Sequence, residues 1–174
     1  MKKKALLVID LQDDYFPEGK YPLWNTEETL SNIKTTITKA HQQDIPVIHI
    51  QHIADPEKGL APFFNKGTAG ADIHAEILAA APDADIVIKT FADAFEQTNL
   101  EEVLQKHQVT ELLVCGMMTQ NCVTHTAISK AAEKYEVSVL MDCCTTVDEM
   151  IHNIALNAVS TRVPLVSAMQ ALEI

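Results

Sequence analysis

The chain has 174 residues, 47% hydrophobic and 21% charged, which suits one domain over residues 1–174 with a full core. Its formal net charge of −11 argues against nucleic acid and anionic membranes as partners, since both need a basic surface. No run approaches the ~18 apolar residues of a membrane span.

Lys2 to Lys4 precede an apolar run, but it covers only Ala5 to Ile9 before Asp10 stops it. No secretory leader is expected, and a cytoplasmic location is. Lys4 to Asp10, KALLVID, reads as a buried parallel strand. A loop with Pro17, Gly19 and Pro22 follows. Asn25 and Glu28 give a helix-start signature, and Leu30, Ile33, Ile37 and Ala40 carry a helix to about Gln43. Pro46 to Gln51 is the second strand. His52 to Gly70 is irregular and long enough to be functional. A short helix is expected over Asp72 to Ala80. Asp85 to Lys89 is the third strand, ending in a lysine. Thr98 and Glu101 form a capping box for the next helix.

Glu111 to Gly116 is strand four. The helix after it is predicted from Thr119 to about Lys134, with Cys122 in its first turn, where a helix N-terminus lowers a thiol pKa. Val137 to Asp142 is strand five, Thr146 and Glu149 cap another helix, and Arg162 to Val166 is a last strand. The other cysteines are Cys115, Cys143 and Cys144. No disulfide-scaffold spacing joins the four, so free thiols are expected.

This alternation predicts a three-layer α/β/α fold, Rossmann-like, with an open parallel six-stranded sheet in the order 3-2-1-4-5-6. Right-handed crossovers put every strand's C-terminal end on one edge. Asp10 and the turn before Cys122 then face each other. Lys89 lies two strands away, roughly 10 Å at ~4.8 Å per strand, within a lysine's reach. An acid, a thiol and a cation form a usable catalytic set: the carboxylate takes the thiol proton, the ammonium pairs with it, and the thiolate attacks a carbonyl. His125, one turn beyond Cys122, is a rival base. No G-x-G-x-x-G follows strand one, so a nucleotide-binding reading is weak.

Four stretches carry a family resemblance: LLVIDLQDDYF, FNKGTAGADIH, DIVIKTFADAF and, most heavily, LLVCGMMTQNCVTHTA. The resemblance they carry extends over almost the whole chain. The sequence resembles the isochorismatase-like cysteine hydrolases, which include nicotinamidases, N-carbamoylsarcosine amidases and isochorismatases. The resemblance implies Asp10 as general base and acid, Lys89 as electrostatic partner and Cys122 as nucleophile. It implies a cis peptide between Met117 and Met118, with the amide N–H groups of Met118 and Cys122 forming an oxyanion hole. Thr119 would cap the helix through the N–H of Cys122 and border the substrate. Phe16, Leu23 and Phe95 are candidate pocket walls, whereas Trp24 and Phe64 read rather as core or subunit contacts.

Metal-binding nicotinamidases carry an Asp-x-His pair after strand two. Here His52 and Ala54 stand at those places, so neither metal nor cofactor is expected. The implied function is hydrolysis of a small amide or related C–N bond through a Cys122 thioester. A vinyl-ether hydrolase of isochorismatase type and a non-catalytic thiol-sensing or binding domain are the alternatives. The expected partners are a small-molecule substrate and, by family habit, further copies of the chain in a homo-oligomer.

Overall fold

The computed structural model describes residues 2–173. Six strands form one parallel sheet: β1 (Lys4–Ile9), β2 (Val47–His52), β3 (Asp85–Lys89), β4 (Glu111–Met117), β5 (Glu136–Thr145) and β6 (Leu165–Val166). Their order is β3-β2-β1-β4-β5-β6, as the sequence predicts. The central strand β1 is buried from Ala5 to Ile9, which is why it reads as a continuous apolar run instead of an alternating one. Helix α1 (Thr26–Gln42) packs on β1, β2, β4 and β5 and against α2 (Ala75–Ala80). The remaining helices are α3 (Leu100–Lys106), α4 (Thr124–Ala127), α5 (Glu149–Val159) and α6 (Ala168–Ala171). None is long and apolar enough to cross a membrane.

Register brings the strand ends together. Ile9 pairs with Ile50 of β2 and Gly116 of β4, and His52 pairs with Lys89. Gly116 is needed where β4 closes on β1. Its φ is +123°, and a Cβ there would lie 2.1 Å from the Ile9 carbonyl oxygen, a contact no side chain permits.

Several local expectations are corrected. The helix predicted from Thr119 to Lys134 is instead a π turn over Thr119–Val123, the single-turn α4, and a 3-10 turn over Lys130–Lys134. Ser129 breaks it: its backbone is extended, its hydroxyl donates to Asp93 Oδ2 at 2.6 Å, and it accepts from the N–H of Ala131. Strand β5 runs on through Cys143 and Cys144, with two steps along β4 matching five along β5 between Val114 and Gly116. Asn25 stands at the cap position of α1, as expected, but its side chain accepts no capping hydrogen bond. It adopts φ +53°, and its amide donates to Glu28 Oε2 at 2.9 Å. Thr98 lies one residue before the cap position Asn99, and α5 is capped by Asp148 in place of Thr146, whose hydroxyl donates to Gln120 Oε1.

Candidate active site

Asp10 is the first residue past β1. It takes the left-handed conformation, φ +53°, which an aspartate tolerates better than most residues. Its N–H donates to the Ile50 carbonyl and its own carbonyl accepts from Gln12, both at 2.9 Å. The carboxylate is thereby turned into the sheet edge, where it is fully buried. Lys89, 1% exposed, comes from the end of β3. Its Nζ lies 3.1 Å from Asp10 Oδ2 and 3.3 Å from Cys122 Sγ. The expected acid, cation and thiol are therefore in one buried cluster. Asp10 Oδ1 is buried without a hydrogen-bond partner, a spare acceptor beside the thiol.

Cys122 sits in the π turn and is 3% exposed. The helix-terminus expectation for its thiol is overturned. Burial pushes the thiol pKa up and the Asp10 charge adds to this, while Lys89 opposes both. Burial pulls the Lys89 pKa down, but Asp10 and Cys122 together carry it above the ordinary lysine value, so the ammonium stays charged. The Met117–Met118 peptide is cis.

Sequence reasoning underrated His52. Its Nδ1 lies 2.9 Å from Lys89 Nζ, and burial first, then the Lys89 charge, bring its pKa down to about 4. The signal was its place at the end of β2, in register with Lys89. Gln12 fixes that place: it donates to the His52 carbonyl at 2.7 Å and accepts from the His52 N–H at 2.8 Å. Tyr15 was missed as well. Its ring lies 4.5 Å from Phe64, which is 5.9 Å from His52. Burial, then the charges of Asp10 and Cys122, raise its phenol pKa, so the hydroxyl feels the cluster. Asp14 braces the same loops by accepting from the N–H of Phe64 at 2.8 Å.

The other candidates make contacts of their own. Phe16 packs against the His74 ring, tilted 40° with centroids 4.3 Å apart, and lines an outer cleft of about 740 Å³ with Pro17, Leu30 and Gly70. Phe95 stacks on Tyr135. Leu23 is half-buried, its N–H donating to the Tyr15 carbonyl at 3.0 Å. Thr119 does not cap the turn; its hydroxyl pairs with His152 Nδ1 at 2.8 Å. His125 is exposed and bonded back to the Asn121 carbonyl at 2.8 Å, away from the thiol. Cys143 contacts Thr36 Oγ1 at 3.3 Å and Cys144 donates to the Leu140 carbonyl.

Donor atoms of Asp10, His52 and Cys122 lie within 4.8 Å of one another, a spacing that invites a metal. It does not fit one. The Lys89 ammonium already stands within hydrogen-bond distance of all three. Ala54 offers no ligand, and His74 caps α2 through Nδ1.

The protein is thus a parallel α/β sheet with a buried acid, lysine and thiol at its carboxyl edge. The chain matches the Isochorismatase domain over residues 4–170 and belongs to the isochorismatase family. It is 37% identical over 142 residues to the isochorismatase family protein YddQ of Bacillus subtilis, covering 82% of this chain and 77% of that protein. Nicotinamidase 3 of Arabidopsis thaliana is 31% identical over 164 residues, covering 89% of this chain and 79% of that one. The structure of an isochorismatase-like hydrolase from Alkaliphilus metalliredigens superimposes with a TM-score of 0.87 at 26% identity, covering 98% of each chain.

Proposed function

We propose that this chain is a cysteine hydrolase that cleaves a small amide or related C–N bond through a Cys122 thioester. The observation that carries the reading is the buried Lys89 ammonium, in contact with both the Asp10 carboxylate and the Cys122 sulfur. As substrate binds, Asp10 takes the thiol proton and the thiolate attacks the carbonyl carbon. The amide N–H groups of Met118 and Cys122 receive the oxyanion. Asp10 returns the proton to the departing nitrogen, leaving a thioester. Water, deprotonated by Asp10, then releases the acid. The similarity to a nicotinamidase supports amide chemistry. Arg162, the only arginine, lies exposed in a separate cleft with Glu111 and Glu133, which supports a neutral substrate over an anionic diacid.

The test is a panel of small amides scored by ammonia release. Cys122→Ala should lower the rate on any active amide by more than ~10³-fold. Amide hydrolysis retained in that variant would remove the nucleophile assignment.

A further inference from the structure

A lysine ammonium has three N–H donors and no acceptor. Around Lys89 Nζ stand four acceptors: His52 Nδ1 at 2.9 Å, Asp10 Oδ2 at 3.1 Å, the Phe91 carbonyl at 3.1 Å and Cys122 Sγ at 3.3 Å. Three donors cannot serve four acceptors at once. Which one goes without depends on where the thiol proton is.

While Cys122 is a thiol, its sulfur is a weak acceptor, and the three N–H groups serve His52, Asp10 and Phe91. When the proton passes from Sγ to Asp10, the carboxylate loses its charge and the sulfur gains one. The N–H that served Asp10 is then drawn to the sulfur. His52 and the Phe91 carbonyl are neutral throughout this step, so their hold on the ammonium does not change.

We propose that His52 is a positioning residue: with the Phe91 carbonyl it forms a fixed two-point cradle in which Lys89 swings one N–H from Asp10 to the Cys122 thiolate. This rests on the reading of Cys122 as nucleophile and Asp10 as its base. One proton leaves Sγ and arrives on the unpartnered Asp10 Oδ1. Lysine keeps all three of its own, and nothing is oxidised or reduced.

The cradle fixes the state of the ring. Nδ1 must keep its lone pair, so the ring is neutral and carries its proton on Nε2. The groups that face it are Lys89 from β3, Asp10 from the end of β1, Cys122 from the π turn and the Phe64 ring from the loop after β2. Burial and Lys89 favour the neutral ring and Asp10 opposes them. The backbone of His52 is held on both sides by Gln12, so the ring is presented from a rigid base.

Two variants and one wild-type measurement test this. His52→Leu removes the acceptor, while His52→Asn places an amide oxygen where Nδ1 stood. Alkylation of Cys122 by iodoacetamide, followed on its own peptide across pH, needs no substrate. A thiolate without a fixed ammonium is less stable, so His52→Leu should raise the alkylation midpoint by about one pH unit, and His52→Asn should restore most of the shift. With an active amide, kcat should fall ~10–100-fold in His52→Leu, with KM nearly unchanged and rescue by Asn. An unchanged midpoint in His52→Leu, or the same shift in both variants, overturns the cradle. So does an Nδ1–H tautomer seen by heteronuclear NMR of the wild-type protein at neutral pH, which requires no variant to fold. A wild type inert on every amide would count against the hydrolase reading alone, because the tautomer and alkylation results still decide the cradle.

Discussion

Lys89 and Asp10 have fully buried side chains 3.1 Å apart. Removing two charges from water costs several kcal/mol each, and mutual attraction offsets this only while both are present. Lys89→Met should therefore lower the unfolding free energy by about 3–5 kcal/mol, read by urea titration. Adding Asp10→Asn to it should recover much of the loss, since no buried charge is then left alone. Strict additivity of the two changes would mean that the pair is not energetically coupled. Asp10 and Lys89 were legible in the sequence because one directly follows a strand and the other ends one, and Cys122 because it lies in the turn that follows β4. His52 was less so. It too ends a strand, but its meaning comes from sharing a register position with Lys89, which depends on how β2 and β3 align. Tyr15 and Phe16 show the same limit: they are adjacent in sequence, yet Tyr15 packs on Phe64 and Phe16 on His74. Which of two neighbouring rings turns inward depends on the 3-10 turn at Asp13–Tyr15, which leaves no periodic trace.

Elements defined by local apolar pattern were the ones read well. The third strand, Asp85–Lys89, is found as predicted, and β1, β2 and β4 shift by a residue at one or both ends. Elements decided by a distant contact were not. The segment after Cys122 has helical periodicity, but the bond from Ser129 to Asp93 holds it open, and nothing near Ser129 in the sequence announces Asp93. Gly116 is a comparable tertiary constraint, and it positions the turn that carries Cys122. β4 must approach Ile9 closely for the turn carrying Cys122 to reach Asp10. Gly116→Ala places a methyl group 2.1 Å from a backbone oxygen at a φ of +123°, and neither atom sits on a flexible side chain that can move aside. The loss of stability should exceed about 3 kcal/mol. A melting temperature within a degree or two of wild type would show that β4 can shift without cost.

At the scale of the molecule, the sheet order does the assembling. Placing β1 between β2 and β4 brings Asp10, His52, Lys89 and Cys122 to one edge from four separate parts of the chain. The same burial that concentrates the chemistry makes the fold sensitive to acid. His52 is held neutral with its pKa lowered from 6.5 to about 4, and burial lowers that of His49 as well. In the unfolded chain both regain the ordinary value. Above pH 6.5 folded and unfolded forms are alike in binding no proton at these rings, and full stability is present. Between pH 6.5 and 4 the unfolded chain binds protons that the folded one refuses, so stability falls as pH falls. For His52 alone the loss is on the order of 3 kcal/mol at the bottom of that window. Urea unfolding at a series of pH values should show it, and His52→Asn, which has no ring to protonate, should give a flatter profile over the same range. Parallel profiles for variant and wild type would mean that His52 titrates in the folded protein as it does in the unfolded chain. The neutral ring on which the Lys89 cradle depends would then not persist below pH 6.5.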